Sequence, residues 1–135
     1  MAQNGIYIGE AGELRVLSEL LLKGFKPSKY IVDDGIDIVL DNKKTLQVKT
    51  CNSLNRNQNN TDYYMVGLTS AIYKRGYRKV YRQKMIADFL IIWIIPTNSF
   101  YVLPQIEVGN KVCIGISTSK KCKYEKFRER WELLN

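Results

Sequence analysis

The chain has 135 residues, 21 of them Lys or Arg against 13 Asp or Glu, a net charge of +8, and no histidine. One domain, residues 1–135, is expected at this length, and 45% hydrophobic with 25% charged residues excludes a disordered chain. The missing histidine excludes Ser-His and Cys-His triads, His-ligated zinc and any nuclease with an imidazole base, so chemistry must rest on carboxylates, lysines, amides and a metal.

Met1 to Gly12 lacks the cationic and apolar regions of a signal peptide. Residues 10–23 repeat apolar side chains at helical spacing, with Leu14, Leu17 and Leu21 as one stripe and Val16 and Leu20 beside it. Gly24 stops that helix and Pro27 prevents its resumption. A short strand is expected over 30–32, then two stronger ones over 36–40 and 44–50 around Asp41-Asn42-Lys43. The Asn-rich stretch 52–61 reads as an exposed loop. Strand 63–68 follows, then a very basic segment, 70–84, read as helical or irregular. The apolar run around Phe89 to Ile95 predicts a strand buried on both faces. It is too short to cross a bilayer. Asn98 is the expected turn before a partner strand, 100–103, and a last helix is predicted over 123–134. The order fits a helix docked on a mixed central sheet.

Three cysteines, Cys51, Cys113 and Cys122, show no metal or disulfide spacing and read as reduced thiols with packing roles. A soluble, cytoplasmic protein without a membrane partner is expected. The surplus of positive charge points to a polyanion, and nucleic acid is the usual one because phosphate neutralisation releases counterions.

The hairpin over 36–50 groups the chemistry. Side chains alternate faces along a strand, so Ile36, Ile38 and Leu40 on one strand share a face with Leu46 and Val48 on the other. Asp37, Gln47 and Lys49 are left on the opposite face. A turn centred on Lys43 sets Asp37 opposite Lys49 and Ile38 opposite Val48. A slip of one residue would bury the charges. Such a group suits phosphodiester hydrolysis. Asp37 supplies a carboxylate for a hard divalent cation, the Val48 backbone carbonyl adds a neutral ligand, Lys49 offsets phosphoryl charge or positions water, and Gln47 offers an amide. Glu13, on the side of the helix that carries Val16, Leu17 and Leu20, is the second carboxylate, and Glu10 one turn earlier is an alternative. The same residues also fit a surface ion pair and first-turn glutamates favoured by the helix dipole.

These residues resemble a known family. Gly12-Glu13-Leu14 through Gly24-Phe25, then Asp34-Gly35-Ile36-Asp37-Ile38-Val39, then Gln47-Val48-Lys49-Thr50, are similar to the motifs of the PD-(D/E)XK nuclease superfamily. Closest is its group I intron homing endonuclease branch, whose last motif often reads Q-x-K. Ala87-Asp88-Phe89 to Pro96 and then Phe100-Tyr101-Val102-Leu103-Pro104 look like a further section of that branch. The resemblance spans roughly residues 9 to 104. It implies an α/β (mixed α+β) nuclease core, a central mixed β-sheet flanked by helices. It also implies Glu13, Asp37, Gln47 and Lys49 as the catalytic set, with Glu13, Asp37 and the Val48 carbonyl at the metal. Mg²⁺ is the implied cofactor, Mn²⁺ its substitute, with no organic cofactor. The implied partners are double-stranded DNA and further copies of the chain, as a dimer or tetramer. Two departures stand out. Ile36 replaces the proline before Asp37, and Gln47 replaces the usual acid, which removes one charge and weighs against two metals. The superfamily also holds Holliday junction resolvases, restriction enzymes and inactive DNA-binding members, which stay open as alternatives.

For DNA contact the candidates are Lys74, Arg75, Arg78, Lys79 and Arg82, interleaved with Tyr73, Tyr77 and Tyr81, and a helix would set Arg78 and Arg82 on one stripe. Asn55 and Arg56 join them because their loop leaves the sheet beside Lys49. A solvated face and an ordinary loop are the plainer readings of both segments.

Overall fold

A computed structural model describes residues 5–32, 34–56, 62–68, 70–74, 76–81, 85–119 and 121–135, with the backbone alone for 70–74 and 77–81. Helix α1 (Gly5–Leu22) opens the chain. Strands β1 (Pro27–Lys29), β2 (Ile38–Leu40) and β3 (Thr45–Cys51) follow. Next come β4 (Leu54–Arg56), β5 (Asp62–Gly67), β6 (Ser70–Lys74) and β7 (Tyr77–Tyr81). The chain continues with β8 (Phe89–Ile94), β9 (Ser99–Pro104), a four-residue helix α2 (Gln105–Val108) and β10 (Cys113–Ser117). It closes on two 3₁₀ turns, Glu125–Phe127 and Trp131–Leu134.

The central sheet has the order β1-β2-β3-β8-β9, with β3 and β8 parallel and its other neighbours antiparallel. A second sheet, β10-β5-β4, packs on one face, and β6–β7 forms a separate hairpin. The fully apolar β8 serves both faces. Leu90, Ile92 and Ile94 pack with Tyr64, Val66, Ile114 and Ile116, while Ile91 packs under α1 with Val16, Leu20, Ile38 and Leu46. Asp88 fastens the start of the parallel pair: its carboxylate accepts from Thr45 N (2.9 Å) and Thr45 Oγ1 (3.1 Å). Among the described residues no helix is long and apolar enough to cross a membrane.

Helix α1 ends as expected. Gly24 adopts φ +87, Phe25 N donates to Leu20 O (3.0 Å) and Gly24 N to Leu21 O (3.1 Å), a pair of bonds that satisfies the last carbonyls. Its buried stripe, however, is Gly12, Val16 and Leu20. Leu17 is half-buried, and Leu14 and Leu21 point to solvent. Gly12 selects this stripe. A Cβ there would lie 1.7 Å from Thr50 Oγ1, so only glycine lets the helix approach β3 this closely.

Other expectations are corrected. The first edge strand is Pro27–Lys29, bonded to β2, and not 30–32. The β2–β3 hairpin pairs Ile38 with Leu46 and Val39 with Thr45, two residues off the expected register. The turn is centred on Asn42: Lys43 takes φ +71, Lys43 N donates to Leu40 O, and the Asn42 side chain accepts from Lys44 N and donates to Leu134 O. A two-residue shift preserves faces, so the grouping of side chains survives.

Residues 54–56 form a strand and not a loop. Within the basic segment the described residues form strands β6 and β7, with Gly76 at φ +79 just before Tyr77. Aromatic and β-branched residues outweigh the helical spacing of the arginines there.

The terminal helix is absent. Glu129 (φ +54) donates its N–H to Phe100 O and accepts from Phe100 N and from Trp131 Nε1 (2.7 Å). Trp131 packs on the Phe100 ring at 5.2 Å. Pairing with the open edge of β9 wins over local helix propensity. The cysteines are free, and Cys113 is exposed, which corrects its packing role.

Gly12→Ala should therefore cost about 1–3 kcal/mol or more from overpacking, read as a lowered urea midpoint. Thr50→Ala in the same chain should restore part of it, since the hydroxyl is the closest obstacle and has no hydrogen-bond partner to lose.

Candidate active site

The site is built where β2 and β3 part. Asp37 lies just before β2. Its backbone is held at two points: N donates to Leu46 O (2.8 Å) and O accepts from Tyr30 N (2.9 Å). Beyond Leu46 no β2 residue remains to bond β3. The Asp37 carboxylate takes that place, accepting from Val48 N through Oδ2 at 2.7 Å. Gly35, at φ +100, and the Asp34 side chain, which accepts weakly from Ile36 N (3.4 Å), shape the approach to Asp37.

The fork opens a cleft of about 460 Å³. Gly9, Glu13, Asp37, Gln47, Lys49, Thr50 and Asn52 are among the residues that line it. The structure thus brings together all four proposed catalytic residues, from α1, the lead into β2, and β3. The buried contact of Gly12 with Thr50 fixes the height of Glu13 above the sheet.

Glu13, not Glu10, shares the cleft with Asp37. Its pKa rises from 4.5 to about 7. Burial is the largest cause, followed by the charge of Asp37, the hydrogen bond to it and the charge of Glu10, with Lys29 pulling the other way. Glu10 is exposed and bound instead to Lys29 (Nζ to Oε2, 2.8 Å), whose ammonium also stands 3.5 Å from Glu13. Sequence spacing alone does not single out Lys29. Its signal is a lone cation in an edge strand, visible only once β1 lies beside α1.

Two carboxyl groups side by side in a polar cleft are a place where a divalent cation fits, because it offsets the repulsion that helps lift the Glu13 pKa. Among the described residues no group of three or more Asp, Glu, Cys or His is placed to hold a metal ion together. Mg²⁺ needs only one or two carboxylates, the rest being water and substrate oxygens.

The DNA-contact candidates fall into two groups. Asn55 and Arg56 lie exposed on β4, paired with Tyr63 and Asp62, and Arg56 approaches the Asp62 carboxylate at 3.8 Å. Lys74, Arg78 and Lys79 lie on the β6–β7 hairpin, where Tyr73 stands opposite Arg78 in register. The expected helical stripe of Arg78 and Arg82 is replaced by that strand, and Arg75 and Arg82 lie outside the described residues.

No protein-family model matches the chain, and no curated protein sequence is significantly similar to it. Among solved structures the chain is similar to that of a bacterial homing endonuclease, I-Ssp6803I, with a TM-score of 0.78 at 19% identity. The match covers 98% of this chain and 93% of that one. The two share a fold from end to end.

Glu13 binds its proton more tightly folded than unfolded, so the folded state gains most at low pH. That gain disappears as pH rises from about 4.5 through 7. Without divalent ions, urea unfolding should show the protein losing on the order of 1–2 kcal/mol over this window through Glu13, the side chain being partly solvated. Glu13→Gln should flatten that slope.

Proposed function

We propose that the chain is a metal-dependent, sequence-specific endonuclease that hydrolyses phosphodiester bonds in duplex DNA. It belongs on this reading to the PD-(D/E)XK class, of the kind encoded in group I introns. The observation that carries the proposal is the convergence of Glu13, Asp37, Gln47 and Lys49 on one cleft. The shared fold supports it, because I-Ssp6803I is a homing endonuclease.

Glu13 and Asp37 would hold Mg²⁺ or Mn²⁺, with the Val48 backbone carbonyl as a neutral ligand. When bound, the ion would offset charge developing on the phosphate and lower the pKa of water. Val48 N–H holds the Asp37 carboxylate in place through the 2.7 Å bond. Lys49 Nζ orients the attacking water or offsets phosphoryl charge, and the Gln47 amide can both accept and donate within the same cleft. With an amide at position 47, two carboxylates remain, a set suited to one ion better than to two. Lys29 keeps Glu10 out of that set by pairing with it.

The +8 charge suits phosphate binding. The exposed β4 strand follows Lys49 by five residues, so Asn55 and Arg56 leave the sheet on the way out of the cleft. Lys74, Arg75, Arg78, Lys79 and Arg82 would add contacts from the β6–β7 region. One cleft cuts one strand, so a duplex break calls for a homo-oligomer, a dimer or tetramer.

Cleaved products selected from a random duplex library with Mg²⁺ provide the assay. Lys49→Ala and Asp37→Ala should each lower cleavage by roughly 10²–10³-fold or more, with DNA affinity held within a few-fold. If the unaltered protein never cuts linear, branched or site-bearing DNA while still binding it, a DNA-binding module on this fold replaces the nuclease reading.

A further inference from the structure

The surface of α1 opposite its buried stripe carries an unusual amount of apolar area. Ile6, Tyr7, Leu14, Leu21 and Leu22 are each between 58% and 79% exposed. At about 100° per residue all five fall within about 80° of Leu14, on the side away from Gly12, Val16 and Leu20. Five exposed apolar side chains on one face of one helix, interrupted only by Glu10 with its partner Lys29 and by Ser18, mark a site of association.

The arrangement of the five points to the occupant. Reversing the helix end for end about Leu14 carries Ile6 onto Leu22 and Tyr7 onto Leu21, and leaves Leu14 on itself. The positions between them follow the same rule: Glu10, held by Lys29, exchanges with Ser18, and Ala11 with Leu17, so large side chains meet small ones. A face that maps onto itself under reversal is what an isologous two-fold contact requires, because each residue must meet its counterpart twice. A partner of unrelated sequence imposes no such symmetry.

Charge argues the same way. α1 carries Glu10, Glu13 and Glu19 against the single cation Arg15, in a chain whose net charge is +8. It is an acidic element in a basic protein, unsuited to a polyanion. A mainly apolar hollow of about 470 Å³ adjoins Tyr7 at one end of the patch, lined by Tyr7, Ile8, Ala11, Asn52, Trp93 and Ile95. The reversal delivers Leu21 and Leu22 of the partner subunit to that end.

We propose that α1 is a self-association surface on which a second copy of the chain docks antiparallel, its two-fold axis passing beside Leu14. This deepens the homo-oligomer of the proposed function by naming its contact. The experiment needs neither DNA nor metal, so its outcome is independent of whether the protein cleaves. Sedimentation equilibrium of the full chain should give twice the chain mass or more, and Leu14→Glu should halve it. Leu14 is exposed, so that variant should keep the parent circular dichroism spectrum. A second arm uses cysteine pairs on a Cys113→Ser background. Under diamide, Leu14→Cys should cross-link to a covalent dimer and Ile6→Cys should not, because position 6 faces position 22 of the other copy. A monomeric wild type, an unchanged mass for Leu14→Glu, or cross-linking at position 6 and not at 14 would overturn the proposal.

Discussion

The hydrogen bond from Val48 N–H to the Asp37 carboxylate governs the site. Two antiparallel strands normally bond along their length. Here β2 contributes only three residues, and its last bond to β3 on this side is Asp37 N to Leu46 O. Past that point an edge N–H would be left open, and a buried donor without a partner is costly. Asp37 fills the gap with its side chain. The fork stays open because a carboxylate, and not another residue of backbone, closes it. Gln47 and Lys49 then line a cleft rather than a sheet face packed by a neighbour.

The helix answers the same geometry from above. Gly12 lies against Thr50, two residues beyond Val48, with no space for a methyl group. That contact drops Glu13 into the cleft beside Asp37. The outcome is electrostatically strained: one carboxyl is lifted to about 7 by burial and by its neighbour's charge. Stability alone would not favour two carboxyls in one half-buried place. Sites that carry such strain are where function is sought. Lys29 relieves part of it from the outer side while holding Glu10 away.

Much of this was legible in the residues, for reasons that differ by element. The β2–β3 pair was readable because alternation sets which side chains share a face, and a register error of two leaves that intact. β8 was readable because a run apolar on both faces has few other places to go. The leucine spacing of α1 points to the wrong stripe, because Gly12, and not a leucine, decides which side can approach the sheet. The C-terminal segment read as a helix because its spacing allows one. What decides it is Phe100, far off in sequence, whose backbone Glu129 completes. The basic segment misled in the same manner: Arg78 and Arg82 suit a helix, but Tyr77 to Tyr81 pairs as a strand with Ser70 to Lys74. Lys29 was invisible until β1 and α1 were set side by side.

We propose that the fork closed by Asp37 is a single divalent-cation site. Mn²⁺ titrated into ¹⁵N-labelled protein tests it directly, since the ion broadens amide signals near it and needs no DNA and no turnover. The Glu13, Asp37, Val48 and Lys49 signals should be lost first, and Asp37→Asn should remove that selectivity. Broadening centred elsewhere, or equally strong at the fork in Asp37→Asn, would contradict it.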